Sequence, residues 1–226
     1  MSERVLISWS GGKDASLALY EVLQDTRVTV DGLLTTVSAT TGRTSMHGLR
    51  PAVIAAQAHA LDLPIEFVEI PGDGSNEAYD RAMSVALENA AERGIDSIVF
   101  ADIELEDVRA YREEQLGTSP VDGRWPLWGR ETDVVANSFL NAGFRATIVV
   151  VDGEKLPPSV VGRELTPRLI AEVLTDVDPS GEHGEFHTVV WGGPPFRSDV
   201  SLRTGRRVTK ELAGTPYHYA DMLPGV

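Results

Sequence analysis

Apolar and polar positions along this chain switch repeatedly between two periods, and the switches mark out its elements. Val5, Leu6 and Ile7 form a short apolar run that reads as a buried strand; from Lys13 onward Ala15, Ala18, Leu19, Val22 and Leu23 recur at helical spacing. Val28 to Thr36 is rich in β-branched and apolar residues and predicts a second strand. Residues 50–61 are alanine-rich and helical, with Pro51 suited to a first turn. Pro64 to Ile70 alternates as a strand and ends in a turn at Pro71-Gly72-Asp73-Gly74. Then follow a long amphipathic helix over 76–93, a buried strand over 95–103 and a charged helix over 105–115 with a largely solvated face. Regular alternation of strand and helix predicts an α/β fold with a parallel sheet and helices on its faces. At Leu116 to Gly129 the texture changes to Gly, Pro and two tryptophans. That change divides an expected first domain, 1–122, from a smaller α/β domain, 123–226, with a helix over 132–141, a strand over 145–151, a helix over 165–174 and a strand over 186–191.

Composition narrows the function classes. The chain has 226 residues and no cysteine, which removes disulfides, thiolate metal sites and cysteine nucleophiles together. A net charge of −14 argues against a broad nucleic-acid surface, though not against a local basic patch. No apolar run reaches the span of a membrane helix, and the start, MSERVLIS, lacks the features of a signal peptide. A cytoplasmic protein that does not engage membranes is expected.

The candidate chemistry gathers where the first strand meets the first helix, at Ser10-Gly11-Gly12-Lys13-Asp14. Two glycines permit a sharp turn and a close approach by a ligand, and the first helical turn leaves N–H groups without partners inside the helix. Those donors favour a phosphate, and Lys13 adds a cation. Neither G-x-x-x-x-G-K-[ST] nor G-x-G-x-x-G is present. In an open α/β sheet ligands bind beyond the carboxyl ends of the strands. Thr35, Thr36 and Val37 are therefore candidates to hold an adenine or ribose, and Ser38 to Leu49, with Met46, His47 and Gly48, reads as a loop over the site. Asp102, at the end of its strand, faces the same crevice as a Mg²⁺ ligand, a substrate-orienting group or a helix cap.

Late in the chain, DPSGEHGEFHT over 178–188 concentrates Glu182, His183, Glu185 and His187. His183 and His187 have the spacing of a helical metal pair, but Gly181 and Gly184 flank His183 and a strand follows, so the helical zinc reading fails on context. Read as extended chain, Glu185, His187 and Val189 share one face, a carboxylate and an imidazole able to bind an amine, a cation or ammonia. A solvated edge strand is the plain alternative.

Taken together, S-G-G-K-D at 10–14, M-H-G at 46–48, A-D-I at 101–103, P-L-W-G-R at 126–130 and G-E-H-G-E-F-H-T at 181–188 resemble the diphthine–ammonia ligase family, a branch of the PP-loop ATP pyrophosphatases. The similarity runs in order from about residue 4 to 197. It implies a Rossmann-like PP-loop domain of the adenine nucleotide alpha hydrolase type. It also implies ATP and Mg²⁺ as cofactors, and a reaction in which the carboxylate of diphthine on elongation factor 2 attacks the α-phosphorus of ATP. Pyrophosphate leaves and ammonia displaces AMP. The resemblance places Ser10, Gly11, Gly12, Lys13, Asp14, Ser16, Thr35, Thr36, Val37, Met46, His47 and Asp102 around the nucleotide, with Asp14 and Asp102 as candidate Mg²⁺ ligands. It places Trp128, Gly129, Arg130, Glu182 and Glu185 at the acceptor. Catalysis falls to Lys13 and Asp14, with Glu185 and His187 positioning or deprotonating the ammonia source. ATP, free ammonia and diphthine-bearing elongation factor 2 are the expected partners, with room for a homo-oligomer. One departure stands out: the family has Ser after the loop Asp, and here Ala15 takes that place with Ser16 next, so a hydroxyl donor is lost or displaced. The competing readings are a non-catalytic adenine-nucleotide-binding module, a ligase acting on another carboxylate, and a tRNA-modifying PP-loop enzyme. The absence of cysteine and the acidic balance disfavour the last.

Overall fold

The computed structural model describes residues 2–72, 75–212 and 214–225; of the turn expected at 71–74, Asp73 and Gly74 lie outside the described residues. The first part contains β1 (Glu3–Ser8), α1 (Lys13–Val22), β2 (Val28–Ser38), β3 (Arg43–Thr44), α2 (Pro51–Leu61), β4 (Ile65–Ile70), α3 (Asn76–Glu92), β5 (Ser97–Val99), α4 (Glu106–Leu116) and β6 (Asp122–Arg124). Its strands lie in the order β4-β2-β1-β5-β6 and are parallel throughout, with β3 added antiparallel at the end of β2. This is a mixed α/β, Rossmann-like sheet.

Alternation along β1 decides the layering. Val5 and Ile7 are fully buried on the side of α1 and α2, whereas Leu6 packs on the opposite side with Met83, Leu87 and Ala90 of α3. Successive strand side chains point to opposite faces, so a continuous apolar run signals a strand covered on both sides.

The second part contains α5 (Thr132–Asn141), β7 (Arg145–Asp152), α6 (Pro167–Val173), β8 (Phe186–Gly192), β9 (Leu202–Leu212) and β10 (Thr215–Pro224). Its four strands form an antiparallel sheet ordered β8-β7-β10-β9. Apolar residues of β7 and β8 join the cluster that holds Val5, Ile7 and the buried face of α1, so one core runs through both sheets.

Several elements differ from expectation. The strand expected over 95–103 is shorter: β5 covers Ser97–Val99, flanked by further backbone hydrogen bonds from the Asp96 N–H to Arg4 O and from the Phe100 N–H to Arg124 O. The first sheet runs through Arg124, beyond residue 122. The hairpin β9–β10 supplies half of the second sheet yet has no clear signature in the sequence, since nearly all of β9 is exposed and shows no apolar period. Among the described residues no helix is long and apolar enough to cross a membrane.

Candidate active site

The site begins with an edge. In the second sheet β8 has a neighbour only on one side, and an unpaired strand edge is a row of backbone groups in search of partners. The glycine loop takes them. The Val190 N–H donates to Gly11 O at 2.9 Å, the Lys13 N–H donates to Thr188 Oγ1 at 3.1 Å, and His47 Nδ1 meets Thr188 O at 2.9 Å. Gln57 of α2, fully buried, completes the knot: its Nε2 donates to Gly11 O at 2.9 Å and to Val190 O at 2.7 Å, and its Oε1 accepts from Trp9 Nε1 at 3.0 Å. The loop is thus held by both sheets at once.

The glycines are required by this packing. Gly11 has φ +81°, and a Cβ there would stand 2.7 Å from Gln57 Oε1; at Gly12 a Cβ would stand 2.4 Å from His47 Cε1. The His47 ring therefore covers the loop because residue 12 has no side chain.

A cleft of about 730 Å³ opens beyond the carboxyl ends of the strands. It is lined by Ser10, Lys13, Asp14, Thr35, Thr36, Met46, His47, Asp102, Glu182 and His187, so the structure brings together residues widely separated in the sequence. Lys13 is only 3% exposed and its Nζ meets Asp14 Oδ1 at 2.5 Å. His47 and His187 lie ring against ring, centroids 4.7 Å apart. Burial lowers the pKa of both; for His187 the neighbouring His47 and Lys13 push the same way, to well below the usual histidine value. Both imidazoles are consequently neutral at pH 7. A carbonyl can only accept, so His47 Nδ1 carries the proton toward Thr188 O and Nε2 is the basic nitrogen. Glu182 reaches across from the second part to accept from the Ile103 N–H at 2.8 Å and the Glu104 N–H at 3.2 Å. Burial raises its pKa, against those two bonds.

Other residues fall elsewhere. Asp102 lines the cleft, but its carboxylate is engaged: Arg112 Nε lies 2.8 Å from Oδ2, and Arg112 Nη2 and Trp125 Nε1 each donate at 3.2 Å. Those donors leave it poorly suited to Mg²⁺; Asp14, at the start of α1 and lining the cleft, is paired through Oδ1 with Lys13 Nζ. Gly11, Gly12 and Val37 lie behind the cleft wall. Ser16 is fully buried and its hydroxyl donates back to Gly12 O at 3.0 Å, so it does not replace the hydroxyl missing at Ala15. Glu185 does not share the face of His187. Glu185 sits in the bend just before β8, outside the strand's alternation, and turns away to meet Lys155 Nζ at 3.3 Å. Trp128, Gly129 and Arg130 also stand outside the cleft: Trp128 packs under the Arg109 guanidinium, and Arg130 ties Glu21 of α1 to Ser138 of α5. They join elements rather than line the site.

Arg112 and Gln57 are the residues that sequence reasoning missed. Leu105, Val108 and Arg112 all line the cleft and recur at helical spacing, a signal hidden by the overall charge of α4. Gln57 sits in an alanine-rich stretch, and its hydrogen bonds depend wholly on tertiary structure.

Fold and site together define a Rossmann-like α/β protein whose glycine loop, seated at a helix start, is locked against the edge of a second, antiparallel sheet. Residues 3–116 match the diphthamide synthase N-terminal domain and residues 131–218 the diphthamide synthase C-terminal domain. The chain belongs to this diphthamide synthase family, that of the diphthine–ammonia ligases. No curated protein matches it. A solved structure, described as that of a predicted subunit of tRNA methyltransferase from Methanocaldococcus jannaschii, aligns with 88% of this chain and 100% of its own at 13% identity. Its TM-score is 0.42, a likeness too distant to bear on fold or function.

Proposed function

We propose that this protein is an ATP-dependent amide ligase that adenylates a carboxylate and passes it to ammonia, with diphthine on elongation factor 2 as the acceptor. The observation that carries the reading is the union, in one cleft, of a helix N-terminus, a buried lysine and two neutral histidines. A carboxylate is a poor acceptor for an amine until a good leaving group is attached to it. The first turn of α1 and Lys13 offer donors and charge where a pyrophosphate would depart. Mg²⁺, bound at Asp14, would supply further screening of phosphate charge.

Ammonium must lose a proton before it can attack, and an acceptor for that proton must itself be unprotonated. His47, through Nε2, and His187 meet the condition within the cleft, whereas Glu185 lies outside it. Free ammonia is the expected nitrogen source, since the chain has no cysteine to release it from an amide. The inward-turned Ser16 hydroxyl favours a second reading, a module that binds nucleotide without turnover.

The test combines the protein with ATP, Mg²⁺, ammonium and diphthine-bearing elongation factor 2, and follows acceptor mass and nucleotide products together. Amidation with stoichiometric AMP and pyrophosphate is expected. ATP binding without AMP would point instead to the binding module or to a ligase for another carboxylate, and repeating the assay with small carboxylic acids separates those two.

A further inference from the structure

A second depression, about 930 Å³, lies beside the cleft and shares Thr44, Ser45 and Met46 with it. One wall is a face of the β9–β10 hairpin; the other is β3 with the loop that leads into α2. Its charge is opposite to that of the molecule. Arg43, Arg50, Arg203, Arg206 and Lys210 line it against a single carboxylate, Asp221, in a chain of net charge −14.

That carboxylate is already engaged. Arg43 Nη1 donates to Asp221 Oδ1 at 2.7 Å, while Arg50 grips both oxygens at 3.0 and 2.7 Å. Arg203, Arg206 and Lys210 are exposed and have no ion-pair partner among the described residues; Lys210 lies over the Tyr219 ring at 5.3 Å. Charges on an edge strand also deter pairing between copies. Here, however, the strand's one acidic residue, Glu211, is absent from the groove lining while Arg203, Arg206 and Lys210 belong to it. Apolar side chains are interleaved: Val208 is 41% exposed, Leu212 50% and Met46 66%.

We infer that this groove docks an acidic polypeptide segment, the part of a protein acceptor that flanks the carboxylate delivered past Met46 into the cleft. A cation–apolar alternation along one strand face matches a chain of mixed carboxylate and apolar side chains. A nucleic acid places a charge on every nucleotide, so the negative field of the rest of the molecule opposes it more strongly than a peptide whose carboxylates alternate with apolar side chains. Naming the segment as the acceptor's rests on the ligase reading; the groove's preference for an acidic peptide does not.

The experiment measures fluorescence anisotropy of a labelled glutamate–tyrosine copolymer peptide and of a labelled oligouridylate of equal length, at low and physiological salt. Proteins are the wild type, an R203E/R206E/K210E variant, and an R27E/R81E/R168E control carrying the same charge change on exposed sites elsewhere. The peptide should bind the wild type more tightly than the RNA, weaken with salt, and weaken about tenfold or more in the groove variant only. Thermal unfolding and ATP binding should be unchanged in that variant. Tighter binding of the RNA, equal losses in the control, or no peptide binding by the wild type would overturn the inference. Peptide binding that survives alongside a failure to form AMP would overturn the ligase reading and leave the groove assignment standing.

Discussion

Replacing Gln57 by leucine keeps the side chain nearly the same size and removes three hydrogen bonds at the point where both sheets meet the glycine loop. Gly11 O retains the Val190 N–H at 2.9 Å, so it is not orphaned. Trp9 Nε1 and Val190 O lose the partners that Gln57 gave them, and the Trp9 side chain is 2% exposed. A buried polar group left without a partner costs about 1–3 kcal/mol, so the pair costs about 2–6 kcal/mol. Total stability is about 5–15 kcal/mol for a domain, and each kcal/mol moves the midpoint of a chain this size by roughly 2–4 °C. Gln57→Leu should therefore lower Tm by roughly 5–20 °C and weaken ATP binding, because Gly11 O loses one of the two hydrogen bonds that hold it. Gln57→Glu keeps the acceptor for Trp9 but sets a carboxylate against two carbonyl oxygens, and should do no better. Calorimetry with nucleotide titration decides it: a leucine variant within about 2 °C of the wild type, with unchanged ATP affinity, would show that the knot does not hold the loop.

Three further outcomes follow from the same geometry. Lys13→Ala should weaken ATP binding about tenfold to a hundredfold, the value of a charged hydrogen bond, and abolish AMP formation; isothermal titration separates the two effects. His47 and His187 have pKa values lowered from 6.5 in the folded protein, so they resist a proton that the unfolded chain accepts. Their contribution is complete above pH 6.5 and is lost as pH falls below it, by up to about 1.4 kcal/mol per pH unit for each ring. Glu182, with its pKa raised, acts with the opposite sign just above 4.5, so His187→Gln should flatten the upper part of the stability–pH curve measured by urea unfolding and leave the lower part. Met46 is 66% exposed and sits at φ 58°, a left-handed conformation that glycine adopts without strain. Met46→Gly should be neutral to about 1 kcal/mol stabilising in thermal unfolding, while weakening whatever contact the side chain makes at the mouth of the cleft.

The parallel sheet was legible because its strands are covered on both faces and so read as apolar runs such as Val5 to Ile7, each followed by a helical period. Much of the cleft was legible too. The rule that ligands sit beyond the strand carboxyl ends put Thr35, Thr36, His47 and Asp102 near Lys13, and all of them line it. What the sequence hid has local physical causes. The occupancy of Asp102 by Arg112 depends on a helix packing that no short window reports. The turning of Glu185 away from His187 follows from the bend that precedes β8, so the alternation that strand reading assumes begins only at Phe186. The β9–β10 hairpin escaped because most of its residues are exposed or only partly buried, so burial leaves little apolar period in β9 to detect.

Exchange of radiolabelled pyrophosphate into ATP isolates the adenylation step from everything that follows it. With diphthine-bearing elongation factor 2, Mg²⁺ and no ammonium, label should enter ATP, stop when the acceptor is omitted, and vanish in Lys13→Ala. Exchange that proceeds without any acceptor, or none at all with an acceptor and bound ATP both verified, would contradict the assignment of this cleft as the place where a carboxylate is activated.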